Sequence, residues 1–244
     1  MTKQHVPEMT SGSLGKNILI FSFPLMLSNI LQVLFNMSDI AVVGRFSGSA
    51  ALGSVGSCAI LVSLFTGLLI GMGSGINTIV ARYLGGADRD HASKTVHSSL
   101  LVSIIYGVII AIVGIPLTKT LLVLLKTKPE LLSDAVLYLR VYLIGTPALA
   151  IFNFGSGVLS AAGDSKRPLR YLFAAGILNI LLNLFFVIVL HLGVLGVAIA
   201  SIVSQYISAV LILRHLFQSH EVYSLHWKML RIDRAISATV LRLG

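Results

Sequence analysis

Six stretches of this sequence, residues 17–38, 46–81, 98–118, 141–163, 171–190 and 192–213, contain no Asp, Glu, Lys or Arg. A helix rises about 1.5 Å per residue and the hydrocarbon core of a bilayer is about 30 Å thick, so about 20 apolar residues cross it. Every stretch is long enough. With 56% apolar residues against 11% charged, and a mean hydropathy of +0.92, the chain lies far from the composition of a soluble domain. The fold expected is an all-α integral membrane protein, a six-transmembrane-helix bundle in which each span satisfies its own backbone hydrogen bonds.

The second stretch is longer than one crossing needs, and its first part, "FSGSAALGSVGS", is rich in Gly and Ser. That part reads as an interfacial connection, with the span over 58–81. Six spans put both termini on one face. That face holds thirteen of the 18 Lys and Arg, while Arg45, Lys119, Lys126, Lys128 and Arg140 lie on the other. The positive-inside rule makes the first face cytoplasmic, in a multi-pass protein of a bacterial inner or plasma membrane. The net charge of +9 is therefore a topology signal, with membrane lipids bearing anionic headgroups as its partners rather than nucleic acid.

Residues 1–16 are polar and read as a cytoplasmic segment rather than a cleavable signal peptide; the lobe itself occupies 17–213. Outside, "TLLVLL" at 120–125 is too short to cross and reads as a surface segment, with Pro129 opening the next helix. Residues 214–244 turn polar. Leu225, Met229, Ile232 and Ile236 recur at spacings of three and four, which predicts an amphipathic helix on the membrane surface, leading toward a second lobe.

No Walker-type phosphate loop is present, and the seven histidines show no metal-ligand spacing, so no cofactor is expected. The lone Cys58 cannot form an internal disulfide. Gly71, Gly73 and Gly75 read as close-packing positions. Of nine acids, only Asp39 falls plausibly inside the bilayer, where an ionised carboxylate is costly. It is either a helix-end residue paired with Arg45 or an ion or proton site. Asn179 and Asn183, four apart, share one face of the fifth span and imply a polar interior. Gln32 and Asn36 on the first span, Asn153 on the fourth, and Ser201, Ser204 and Gln205 on the sixth could line the same cavity. Pro24 and Pro147 lie within spans and favour kinks.

Together, "FPLMLSNILQVLFNMSDIAVVGR", "GLLIGMGSGINTIVARYLGGAD", "LSAAGDSKRPLRY" and "NILLNLFFVIVLHLGVLGVAIAS" resemble, in order, the amino-terminal half of the multidrug and toxic compound extrusion (MATE) transporters. The resemblance extends over about 14–217. It implies one lobe of a secondary active exporter of small organic compounds, driven by Na⁺ or H⁺, with two six-helix lobes around a central cavity. It also implies a cation-coupling role for Asp39, with Asn179, Asn183, Ser201 and Asn153 at the family's other polar positions. Na⁺ would be held at Asp39, Asn179 and Asn183. Asn183 departs from the pattern, because many relatives carry an aspartate there and an amide does not titrate.

Family members carry about twelve spans, and "ISATVLRLG" resembles the approach to a seventh. The chain is thus expected to be a fragment of a longer protein or a half-transporter that self-associates, and without a second lobe it is expected not to transport. An intramembrane aspartyl enzyme would need two carboxylates in one site, and only Asp39 is available. The topology has a direct test. In a Cys58→Ser background, Lys128→Cys is expected to react with an impermeant maleimide in intact cells and Lys166→Cys is not; the opposite labelling would reverse the orientation.

Overall fold

The computed structural model describes residues 14–243; the first thirteen residues of the expected cytoplasmic segment lie outside the described residues. The chain forms α1 (Leu14–Ser47), α2 (Ser49–Gly85), α3 (Arg89–Leu124), α4 (Pro129–Ile144), α5 (Thr146–Ala161), α6 (Lys166–Leu184), α7 (Gly193–Gln218) and α8 (Arg234–Leu243). A π-helical turn, Phe185–Val189, prolongs α6. Among the described residues there is no strand. Five helices are long and apolar enough to span a membrane, and α4 with α5, bent by 46°, passes as one broken crossing to make six.

The helix ends differ from the sequence expectation in ways that have physical causes. "FSGSAALGSVGS" is not a connection: α1 continues to Ser47 and α2 starts at Ser49, with Gly48 (φ +92°) alone between them. The Ser54 and Ser57 hydroxyls donate back to the Ala50 and Gly53 carbonyls at 2.9 and 2.7 Å, and Gly53 makes room for Leu131. Gly48 alone makes the turn, and the small residues after it serve helix packing. Likewise "TLLVLL" is no surface segment, because α3 runs through it to Leu124. The helix stops in a Schellman motif, with Lys126 at φ +57°, its N–H on the Val123 carbonyl, and Thr127 N–H on that of Leu122.

The fourth crossing starts at Pro129 rather than at 141, taking in the exposed Glu130, Asp134 and Arg140. It breaks at Gly145, two residues before Pro147. There the Thr146 hydroxyl donates to Leu143 O at 2.8 Å and lies 3.0 Å from Gly107 O, serving carbonyls at the break. The tail is also different: Leu225, Met229, Ile232 and Ile236 do not share a helix. Leu225 is buried and its N–H bonds to Leu216 O at 3.0 Å, folding the chain back over the end of α7. After α7 ends at Gln218, only a short 3₁₀ turn at Trp227–Met229 and Arg234–Leu243 are helical.

Helix α5 is central, packed against α2, α3 and α7, while α1 leans on α6 and α2. The approach of α5 to α2 depends on glycine. A Cβ at Gly157 would collide with the Gly73 carbonyl, and one at Gly73 would stand 2.8 Å from Asn153 O. Asn77 Nδ2 seals the seam by donating to Gly157 O at 3.0 Å. Gly157→Leu is accordingly expected to destabilise the bundle by about 1–3 kcal/mol or more through overpacking. Gly67→Ala, where a Cβ meets nothing within 4 Å, should be neutral or mildly stabilising. Thermal unfolding in detergent compares the two; equal midpoints would remove the glycine contact from the packing account.

Candidate functional site

Helix α1 turns Leu19, Phe23, Met26, Ile30, Val33 and Met37 outward, an apolar face suited to lipid. Asp39 points the other way and is only 3% exposed. It stands about two turns before the end of α1, and Ser201 stands about two turns after the start of α7, so the antiparallel arrangement brings them level. Asn183, in the last turn of α6 before the π-helical segment, completes the level.

The side chains form a continuous hydrogen-bonded group. Asn183 Nδ2 donates to Asp39 Oδ1 at 2.6 Å, and Ser201 Oγ donates to Asp39 Oδ2 at 2.7 Å. Asn183 Nδ2 also reaches Asn179 Oδ1 at 3.2 Å, and Asn179 Nδ2 donates to Ser201 Oγ at 3.4 Å. Each carboxylate oxygen thus has a neutral donor from a different helix. Among the described residues no ion pair joins Asp39 to Arg45 or to any other cation. Asn183 Oδ1 is buried with no hydrogen-bond partner, an acceptor left over beside the carboxylate.

The group opens onto a cleft between α1, α6 and α7. Gln32, Asn36 and Asp39 line it from α1, Asn179 from α6, and Ser201, Ser204 and Gln205 from α7. Asn153 does not. Its Nδ2 is turned back to Leu149 O at 2.9 Å, and its backbone carbonyl faces Gly73, so it belongs to the α2–α5 seam. Three polar lining residues escape the sequence reading: Ser208 of α7, and Thr66 of α2 and Tyr142 of α4, whose hydroxyls lie 3.4 Å apart. Tyr138 stacks on Tyr142 at 6.1 Å. Their i, i+4 spacing was the available signal, but Tyr at a span end reads first as an interfacial anchor.

Carboxylate, amide and hydroxyl oxygens are hard donors, suited to alkali cations or to sharing a proton, and unsuited to softer metals. Among the described residues, Asp39 is the one carboxylate lining the cleft.

The MatE family model matches residues 24–185. The chain is 32% identical over 198 residues to the probable multidrug resistance protein YpnP of Bacillus subtilis, covering 81% of this chain and 44% of that protein. It is 28% identical over 224 residues to the probable multidrug resistance protein NorM of Thermotoga maritima, covering 90% and 48%. The crystal structure of MATE in the bent conformation superposes with a TM-score of 0.91 at 29% identity, over 100% of this chain and 54% of that one. A MOP superfamily transporter from Pyrococcus furiosus gives 0.88, also at 29% identity, over 100% and 54%. The chain spans about half the length of the curated relatives it matches. The matched segment carries Asp39, Asn179 and Asn183, its fold agrees with solved members along the whole chain, and the chain belongs to the MatE family.

Proposed function

We propose that the chain forms one lobe of a secondary active exporter that expels drugs or other toxic organic compounds in exchange for Na⁺ or H⁺. The observation that carries this reading is the buried Asp39 carboxylate, shared by three helices and lining an open cleft. Asp39 is the charge-bearing coupling residue; Asn179, Asn183 and Ser201 supply neutral oxygens around it. The unpartnered Asn183 Oδ1 suits an incoming cation, which supplies the positive charge that no side chain provides. Gln32, Asn36 and Gln205 line the space left for an organic molecule. Relatives named for multidrug resistance or export support the substrate class.

Coupling follows from the bonds at stake. Only 17% of the most apolar window of α1 is buried within the bundle, against 50% for α7, so apolar packing holds α1 least. Its polar hold is Asp39. A proton or Na⁺ on that carboxylate changes which bonds to Asn183 and Ser201 are worth making, and with them the favoured placement of α1. Transport by rocking needs two bundles, so the working unit is this lobe with a second six-helix lobe, or a self-associated pair, in the cell membrane with the basic ends cytoplasmic.

In vesicles containing the two-lobe assembly, Asp39→Asn is expected to abolish gradient-driven export of a fluorescent organic cation while membrane insertion persists. Asn183→Asp, which adds a second carboxylate beside the first, is expected to alter the pH dependence of export without being required for it. Undiminished export by the Asp39→Asn protein would return Asp39 to a purely structural role.

A further inference from the structure

We propose that residues 227–232 form a lipid-docking arch, which sets Trp227, Met229 and Ile232 into the headgroup boundary and Lys228 and Arg231 onto anionic headgroups. The arch is held at both feet by neighbouring residues of α3. The His226 N–H donates to His97 Nε2 at 2.9 Å, and the Asp233 N–H donates to Ser98 Oγ at 3.0 Å. His97 is itself fixed, 1% exposed with Nδ1 2.7 Å from Ser93 O, and the His226 ring stacks on it at 6.2 Å. Ahead of the arch, Leu225 is buried; after it, α8 packs on α2 and α3 with Val240 buried. What lies between the feet projects as a fixed, short loop.

The height of that loop comes from the helices it touches. Lys94 is the last charged residue of α3 before the charge-free stretch that begins at Ser98, so the two pins sit where charged surface gives way to hydrocarbon. Trp227 stacks on Phe217 at 4.4 Å, and Phe217 follows Arg214 and His215 at the end of the last charge-free stretch. Both reference points lie at the same boundary.

The loop carries the chemistry of that boundary. Trp227 is 75% exposed despite the stack, with Ile232 53% and Met229 45% exposed, a cost in water that an acyl or headgroup environment removes. Tryptophan is enriched at membrane interfaces because its ring is apolar with one polar edge. Lys228 and Arg231 are exposed between these side chains and Arg234 beside them. The nearby acid, Asp233, is engaged in capping α8, its Oδ1 accepting from Ala235 and Ile236 N–H at 2.9 and 3.2 Å. Lys228, Arg231 and Arg234 are three bases against this one acid, so basic charge is in surplus. A protein partner at such a patch would have to cover alternating bases, whereas interface cores are depleted in lysine.

The chain has a single tryptophan, so intrinsic fluorescence reports on Trp227 alone. In phosphatidylglycerol-containing vesicles its emission is expected to be blue-shifted, quenched by lipids brominated near the top of the acyl chain, and shielded from acrylamide. Lys228→Gln with Arg231→Gln is expected to shift the loop's lipid–water balance toward water by about five-fold per charge removed. Raising salt on the unsubstituted chain should move it the same way, which keeps the test open if the double variant folds poorly by circular dichroism. Three results overturn the proposal: full acrylamide quenching without bromolipid quenching, which places the arch in water; shielding from both, which means protein covers it; and equal bromolipid quenching in zwitterionic and anionic vesicles, which removes headgroup charge from its recognition.

Discussion

The Asp39 carboxylate is held by neutral donors alone, and much else in the lobe is arranged around that fact. Burying an ion without a counter-ion costs several kcal/mol, which the amide of Asn183 and the hydroxyl of Ser201 offset in part. An ion pair would close the site; two neutral donors leave it able to take up a positive charge. Because the donors come from α6 and α7 while the carboxylate is on α1, the state of one side chain bears on how three helices meet.

The rest of the lobe contrasts with this adjustable corner. Helix α5 is wedged between α2 and α3 by backbone contacts that admit no side chain, at Gly73 with Gly157 and at Gly107 with Pro147. Thr146 clamps the break between α4 and α5 to Gly107. Such contacts have little freedom to slide, since close-packed interiors yield in discrete steps. The polar group on α1, α6 and α7 therefore sits beside a close-packed α2–α3–α5 block, with Thr66 of that block and Tyr142 of α4 lining the same cleft.

The number and order of the spans were legible because six charge-free runs have few other uses. Polarity within the spans pointed to a shared interior but to a wider set of residues, Asn153 among them; it was the resemblance to the family that singled out Asp39, Asn179, Asn183 and Ser201, which the structure joins by hydrogen bonds. Their partners were not legible: nothing in the spacing of Tyr138 and Tyr142 separates a cleft wall from an interfacial aromatic. Asn153 misleads for the opposite reason, since an intramembrane amide can satisfy itself on its own helix at Leu149 O. Turn residues misled most. Gly and Ser at 46–57 break helices in water, but in lipid they allow helices to approach. Of the positive-φ residues that follow helix ends, Ala87 at φ +56° and Lys126 at φ +57° are not glycines, whereas Gly48 after α1 and Gly163 after α5 are. The tail failed for a tertiary reason, because a buried Leu225 and the His97 and Ser98 pins override its helical spacing.

On the proposed reading, exchange needs no relay between distant sites. Asp39 belongs to the buried polar group and also lines the cleft, so an inorganic cation and an organic one would draw on the same carboxylate. A proton or Na⁺ on Asp39 removes the charge that attracts a cationic compound; its departure restores that charge. With an amide at Asn183 in place of a second acid, the described residues of this lobe bring one negative charge to the cleft, and the two occupants would compete for it. Competition for a single buried charge is enough for antiport, provided that access to the cleft alternates. The alternation would fall to the helix with the least apolar hold on the bundle, α1, which carries the charge.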